Sequence, residues 1–192
     1  MTSADEHVAL LSRAVDQTEA IIARVEPEQA SLPTPDSGWD VRDLVEHVVV
    51  DVRKFTNRAS GSGSAEQDVP VGIDEDWTRS YREASDALLA AWRRDGALDG
   101  MVELPFGEFP PTWFVGQQVT DLVVHGWDLA RATGQSTDLD QELGQFSLDW
   151  GRENLRPEFR GRDFGPEVLV PEDAPLYDRL AAFFGRDPAK AP

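Results

Sequence analysis

The sequence contains no cysteine among its 192 residues. A chain without cysteine cannot form a disulfide, offer a thiolate to a metal or use a cysteine nucleophile. It also lacks any apolar run near the ~20 residues that a membrane-spanning helix needs, and its first residues lack the basic and apolar regions of a secretory signal. We therefore expect a cytoplasmic protein in which any thiol chemistry depends on a thiol from outside.

Positive charge is also scarce, because 36 acidic residues oppose 18 lysines and arginines and give a net charge of -18. Nucleic acids and anionic membrane surfaces both require positive charge, so we expect neither as a partner. The chain has no glycine-rich phosphate loop, no GxSxG motif and no paired-glutamate constellation, which argues against nucleotide and serine chemistry. With 40% hydrophobic and 28% charged residues, it is typical of a soluble globular protein with one core.

Four segments carry apolar residues at spacings of three and four, which is the period of an amphipathic helix. They cover approximately residues 5–25, 39–55, 74–92 and 112–133. Asp40 is the expected cap of the second helix, and Gly134 is the expected stop of the fourth. Four such helices in succession predict an all-α protein, an antiparallel four-helix bundle with one apolar core.

The remaining segments are shorter. The serine- and glycine-rich residues 59–67 predict a flexible connector, residues 140–154 a shorter fifth helix, and the start of MVELPFGEFPP a short strand. After residue 155 we expect a small strand at 167–170 and a terminal helix capped by Asp173, with Pro175 in its first turn. Residues 1–155 should form the bundle with its fifth helix, and residues 156–192 an extension packed on the same domain.

The fourth helix contains two ionisable residues among apolar ones, in TDLVVHGWDLA. Asp121 and His125 are four residues apart and therefore project side by side on one flank of the helix. Burying either group without a partner is costly. The pair predicts either a local hydrogen bond or two ligands of a metal ion, and a catalytic zinc site needs a third.

His47 is the best candidate for that third ligand, since His7 lies at the start of the first helix and is expected to be exposed. In an antiparallel bundle the flank of the second helix that carries His47 can face the fourth helix. His47, Asp121 and His125 would then form a two-histidine, one-carboxylate set, which suits zinc, iron(II) or nickel. The alternative is a half-buried His47 satisfied by Glu46, Asp51 or backbone groups.

Asp128 follows His125 by three residues, on the same side of the helix. A carboxylate in this position can orient a metal-binding imidazole from behind. Pairing with Arg131 or with solvent is the alternative. Asp128 is also the one candidate for a general acid, and the sequence identifies no other residue for general acid or base catalysis.

Three pieces of the sequence resemble a known family: WDVRDLVEHVV, DLVVHGWDLARATGQ and APLYDRLAAFFGRDP. They are similar to the DinB-like superfamily, in particular its mycothiol-dependent maleylpyruvate isomerase-like branch of actinobacterial metal-binding proteins. The resemblance implies a four-helix bundle that binds a divalent metal. Carried over residue by residue, it implies the ligands His47, Asp121 and His125.

Two features depart from the isomerases of that branch. They have glutamate at the carboxylate position, where this chain has Asp121, and they have a larger C-terminal domain, where this chain has about 35 residues after the fifth helix. Maleylpyruvate is therefore not the expected substrate. We expect a metal-dependent enzyme, with zinc first and nickel or iron as alternatives, that uses mycothiol or a similar small thiol for thiol transfer to an electrophilic substrate or for isomerisation of that substrate. A metal-dependent hydrolase and a non-catalytic metal- or ligand-binding bundle are the alternatives.

Overall fold

The computed structural model describes residues 4–36, 38–60, 69, 72–104, 107–156, 160 and 164–190. The helices are α1 (Ala4–Ile22), α2 (Val41–Ala59), α3 (Trp77–Trp92), α4 (Pro111–Ala132), α5 (Gln141–Asn154) and α6 (Leu176–Phe183), with a short 3-10 turn at Pro27–Gln29. Strands β1 (Val102–Leu104) and β2 (Gly107–Phe109) form an antiparallel hairpin. Of the predicted flexible connector, residues 61–67 lie outside the described residues.

Helices α1 to α4 form the predicted four-helix bundle around one core. Within the bundle, each of these four helices packs mainly against two of the other three, so that the order around the bundle is α1, α4, α2, α3. Along α2 and α4 the contacts run in opposite directions: the His47 ring lies 5.0 Å from that of His125, whereas Arg58 lies over the ring of Phe114. These two helices are therefore antiparallel, which brings the first half of α2 against the second half of α4.

The other neighbouring pairs complete the topology. Helices α1 and α3 are antiparallel, because Val15 contacts Tyr81 while the earlier Ser12 contacts the later Arg93. Helices α1 and α4 are parallel, because Thr18 contacts Leu122 and the later Ile21 lies beside the later Gly126. The helix directions are therefore up, down, down, up. Helices α2 and α3 run the same way, and a long connection between residues 59 and 77 is needed to return the chain to the start of α3.

Local sequence signals define most helix ends. Asp40 caps α2 and exchanges two side-chain to backbone hydrogen bonds with Asp43, and Asp140 caps α5 in the same role. Helix α4 begins at Pro111, where the missing N–H of proline costs no hydrogen bond because the first N–H groups of a helix have no partner within it. After the helix ends, Gly134 takes the left-handed conformation at φ +70°. The cap at Asp40 and the stop at Gly134 are confirmed.

The C-terminal segment differs from the prediction in two details. Residues 167–170 are not a strand: none of the described residues forms a strand beside them, and the Val168 amide instead donates to the carbonyl of Ala182 on α6. Helix α6 begins at Leu176 after Pro175, so Asp173 is not its cap. Pro175 has φ and ψ of -48° and 144°, and this extended backbone stands where we expected the first helical turn. The predicted division at residue 155 stays a prediction.

Helix α6 packs closely on α5 because α5 carries glycine at the contact. A Cβ on Gly151 would lie 2.7 Å from the Phe184 ring, and one on Gly144 would lie 2.9 Å from the Tyr177 ring. This close approach fixes the chain that follows α6 next to the bundle. In the described part of the chain, no helix combines the length and the apolar character needed to cross a membrane.

Candidate metal centre and its cleft

The bundle brings His47, Asp121 and His125 together. Each offers one ligand atom, and the three atoms lie within 4.8 Å of one another. His47 comes from α2, and the other two residues come from adjacent turns of α4. Because α2 and α4 are antiparallel and in contact, the two flanks face each other. The three predicted residues therefore form one cluster; whether it binds metal stays a prediction.

The two histidines are held differently. His125 is almost fully buried, with 8% of its side chain exposed, and its Nε2 lies 3.5 Å from Oδ1 of Asp121. His47 is 28% exposed, and its Nε2 lies 3.6 Å from a carboxylate oxygen of Asp51 on the next turn of α2. The indole of Trp39 packs against the His47 ring, with a centroid distance of 4.4 Å and an angle of 45° between the ring planes. The two imidazole rings lie 5.0 Å apart, centroid to centroid, with their planes nearly perpendicular.

Behind His125 lies a fully buried carboxylate. Nδ1 of His125 is 3.2 Å from Oδ2 of Asp128, whose side chain is 0% exposed. Arg186, in the chain after α6, donates to both oxygens of Asp128 at 2.9 to 3.3 Å and to Asp36 at 2.7 Å. Arg131, the alternative partner considered for Asp128, donates instead to backbone carbonyls near residue 190.

Arg186 keeps Asp128 ionised. Burial alone would raise the pKa of this carboxyl, but the guanidinium of Arg186 and the imidazole of His125 outweigh burial and lower it. An ionised carboxylate only accepts hydrogen bonds, so Nδ1 of His125 is the donor. This leaves Nε2 of a neutral His125 with its lone pair directed at Asp121 and the cleft.

The protonation states of the other members follow from burial and charge. Burial, with the positive charge of His125, lowers the pKa of His47, so this imidazole is neutral at pH 7. For His125, burial acts against protonation, but Asp121 and Asp128 outweigh it and raise the pKa to about 10. A cation that binds His125 must therefore displace a proton from it.

The donor set fits a divalent metal. Oδ2 of Asp121 is buried and has no hydrogen-bond partner among the described residues, which is costly for a carboxylate unless a cation satisfies it. Two imidazole nitrogens and one carboxylate suit zinc, nickel or iron(II), and three protein ligands leave a position for another molecule. Asp36, His125 and Asp128 form a second close set, but Arg186 already binds both of those carboxylates.

The triad lies in the wall of a cleft of about 730 Å³. This volume is within the range of small-molecule sites. The row Trp113, Gln117, Asp121 and His125 runs along α4 as one wall of the cleft, with His47 and Trp39 at the triad end. Asp128 does not line the cleft, so it acts on His125 from the core side rather than touching a ligand.

Fold and site together define a DinB-like helix bundle. A family model described as the mycothiol maleylpyruvate isomerase N-terminal domain matches residues 11–130. The chain belongs to this family. The matched region contains all three members of the triad together with Asp128, whereas Arg186 lies outside it.

Two uncharacterized proteins from two strains of Mycobacterium tuberculosis are each 38% identical to this chain over 176 residues, which is 91% of this chain and 94% of theirs. Among solved structures, the mycothiol-dependent maleylpyruvate isomerase superposes with a TM-score of 0.62 at 13% identity, over 89% of this chain and 77% of the isomerase. A histidine-to-alanine variant of that isomerase gives 0.63 at 12% identity with the same coverage. These two likenesses establish the fold, and the family resemblance expected from the sequence is confirmed.

Proposed function

We propose that this protein is a metal-dependent enzyme that uses mycothiol, or a closely similar small thiol, for thiol transfer or isomerisation. One observation carries the proposal: in a chain of this family, the ligand atoms of His47, Asp121 and His125 lie close together in the wall of a cleft of about 730 Å³. Zinc is the metal that we expect first, and nickel or iron(II) are the alternatives. The chain has no thiol of its own, so the thiol is a cosubstrate and the second substrate is an electrophile.

Each residue of the centre has a defined task. His47 and His125 would hold the metal through neutral imidazole nitrogens, and Asp121 through its carboxylate. A bound divalent metal lowers the pKa of a thiol and supplies a thiolate near neutral pH. Asp128 holds the ring of His125 with Nε2 towards the cleft, and Arg186 keeps that carboxylate ionised. The buried position of Asp128 makes it a positioning residue and not a general acid.

Calorimetry of mycothiol binding tests the thiol proposal. The zinc-loaded protein should bind mycothiol at least tenfold more tightly than the metal-free protein, since a thiolate ligand adds a bond. A thiol with an ordinary pKa near ~8.5 is protonated at pH 7, so binding should release about one proton. Titrations in two buffers of different ionisation enthalpy measure both quantities. S-methyl mycothiol, which keeps the sugar but cannot ionise, is the control and should bind equally with and without zinc.

The same titration separates the alternatives. Equal mycothiol affinity with and without zinc, and no proton release, would exclude the thiol mechanism and leave the metal centre standing. Metal-dependent turnover without thiol would then indicate a hydrolase. Tight metal binding with no turnover of any tested substrate would favour a binding bundle.

Substitution of Asp121 tests its role as a ligand. Asp121→Glu should retain zinc, because glutamate keeps the carboxylate charge and differs only by one additional methylene in the side chain. Asp121→Asn keeps the shape but loses the charge, and Asp121→Ala removes the ligand; both should weaken zinc by about 100-fold or more, beyond the 10- to 100-fold typical of outer-sphere partners. Competition with a chromophoric chelator measures these affinities. Equal affinity in all four proteins would remove Asp121 from the centre.

A further inference from the structure

We infer that the electrophile taken by this cleft carries a flat apolar ring and no carboxylate. That the ligand is an electrophile rests on the proposed function. That it carries such a ring is inferred from the residues at the end of the cleft away from the triad. There Phe109, Trp113 and Trp150 line the cleft; we call these three residues the aromatic wall. The substrate class follows from the shape, the polarity and the charge of this part of the cleft.

The three rings of the aromatic wall are packed on one another and remain half-buried. The ring of Phe109 lies 4.6 Å from that of Trp113, which lies 5.4 Å from that of Trp150. Hairpin β1–β2 supplies the first ring, α4 the second and α5 the third. Large aromatic surfaces left partly open inside a cavity are typical of a site for an apolar ligand.

The chain holds this wall in place from behind. Gly116 lets Trp150 lie directly on α4, since a Cβ there would be 2.5 Å from the indole nitrogen. Asn154 accepts a hydrogen bond from Nε1 of Trp113 at 2.7 Å and donates its own amide to the carbonyl of Trp150 at 2.8 Å. The wall is therefore a built surface, whose shape depends on specific contacts.

The same contacts decide the polarity of the ligand. A sugar ring stacked on tryptophan also needs hydrogen-bond partners for its hydroxyl groups. Asn154 contacts both tryptophans, and its Oδ1 and Nδ2 are already engaged in the hydrogen bonds that hold them. The wall therefore offers ring faces rather than hydrogen bonds, which favours an unsaturated apolar ring over a sugar.

The aromatic wall lies within reach of the triad. Trp113 and Asp121 are eight residues apart on one row of α4, which corresponds to about 12 Å along the helix. Gln117 lies between them in the wall of the cleft. A cleft of about 730 Å³ can hold a small thiol at the triad and the ring of an electrophile at the aromatic wall.

The charge of the cleft disfavours acidic substrates. The described part of the cleft is lined by four carboxylates, from Asp36, Asp51, Asp121 and Glu153, and by only two guanidinium groups. One of these, Arg186, is already bound to Asp36 and to the buried Asp128. A divalent metal would offset part of this negative charge, and a thiolate would restore some of it. A dicarboxylate such as maleylpyruvate would meet repulsion, whereas a neutral or cationic ring would not.

Two inert probes of equal shape test the inference: neutral 3,5-dinitrobenzamide and anionic 3,5-dinitrobenzoate. Calorimetry on the full-length protein, with and without zinc, should give an affinity for the amide at least tenfold higher than for the benzoate. Trp113→Leu should lower the affinity for the amide about tenfold, as expected for the loss of a stacking partner. Trp77→Leu is the matched control, because Trp77 lies on α3 and does not line the cleft, and it should bind the amide as the wild type does.

Glu153→Gln tests the charge separately at an exposed position where folding is not at risk. It should raise the affinity for the benzoate about threefold and leave the amide unchanged. Equal binding of both probes to the wild type, an unchanged Trp113→Leu variant or an unchanged Glu153→Gln variant would overturn the inference. Neither probe reacts with thiols, and the comparison in zinc-free protein involves no metal, so the outcomes in that form are independent of whether zinc and mycothiol bind as proposed.

Discussion

Replacement of His125 by alanine is expected to remove stoichiometric zinc from the protein. The wild type should bind one divalent metal per chain, and the variant should lose at least 100-fold in affinity, since removing a direct ligand costs more than the 10- to 100-fold loss seen for outer-sphere partners. The loss should be large because His125 is the most buried of the three ligands and shares its helix flank with Asp121. Elemental analysis of protein purified without chelator, followed by chelator competition, measures it.

His7→Ala is the control for this experiment. His7 lies on α1, with its ring 5.7 Å from Phe146, and does not line the cleft. Its replacement should leave one metal per chain. Metal content that is the same in wild type, His7→Ala and His125→Ala would place any bound ion elsewhere, and the triad would then be a hydrogen-bonded cluster.

A pH series gives the same centre a second signature. Because the pKa of His125 is raised to about 10, the metal-free imidazole is protonated at neutral pH, and binding of zinc must displace that proton. The apparent zinc affinity of the wild type should therefore rise about tenfold per pH unit between pH 6 and 9. The zinc affinity of His125→Ala, which lacks this imidazole, should depend less strongly on pH.

The parts of the centre that sequence could predict are those encoded within one helix. The spacing of Asp121, His125 and Asp128 places them on one side of α4, whatever surrounds that helix. His47 was predictable only with the assumption of an antiparallel contact between α2 and α4, which the fold confirms. The resemblance to the family led to the same triad.

The contacts that sequence could not predict join distant segments. Arg186 reaches Asp128 across 58 residues, and no local spacing indicates such a pair. The aromatic wall likewise combines Phe109, Trp113 and Trp150 from three elements, although each was visible as a single aromatic residue. The prediction of a strand at residues 167–170 was wrong for a related reason. A strand forms only by pairing with a neighbouring strand, and here the amide of Val168 donates to a carbonyl near the end of α6 instead.

Arg186→Met should destabilise the protein by about 3–5 kcal/mol, the range for breaking one side of a buried ion pair. Asp128 is 0% exposed, and without Arg186 its negative charge keeps only the imidazole of His125 as a partner. Urea unfolding of the metal-free proteins measures the loss, as a lower midpoint with an unchanged m-value. Arg186→Met combined with Asp128→Asn is the informative control: it removes the stranded charge and should recover part of the stability.

The sign of the pH dependence distinguishes this mechanism from lost packing. In the wild type the pKa of Asp128 is lowered, so the ion pair stabilises the protein above the unfolded value of about 3.9 and is lost as the pH falls through the lower folded value. In Arg186→Met the buried carboxyl has lost one of its two cationic partners and keeps only His125, so it takes up a proton at higher pH than in the wild type. The difference in stability between the two proteins should therefore shrink from pH 7 to pH 5. A loss below 1 kcal/mol, no recovery in the double variant, or a difference that stays constant over this range would mean that the guanidinium contributes packing rather than charge.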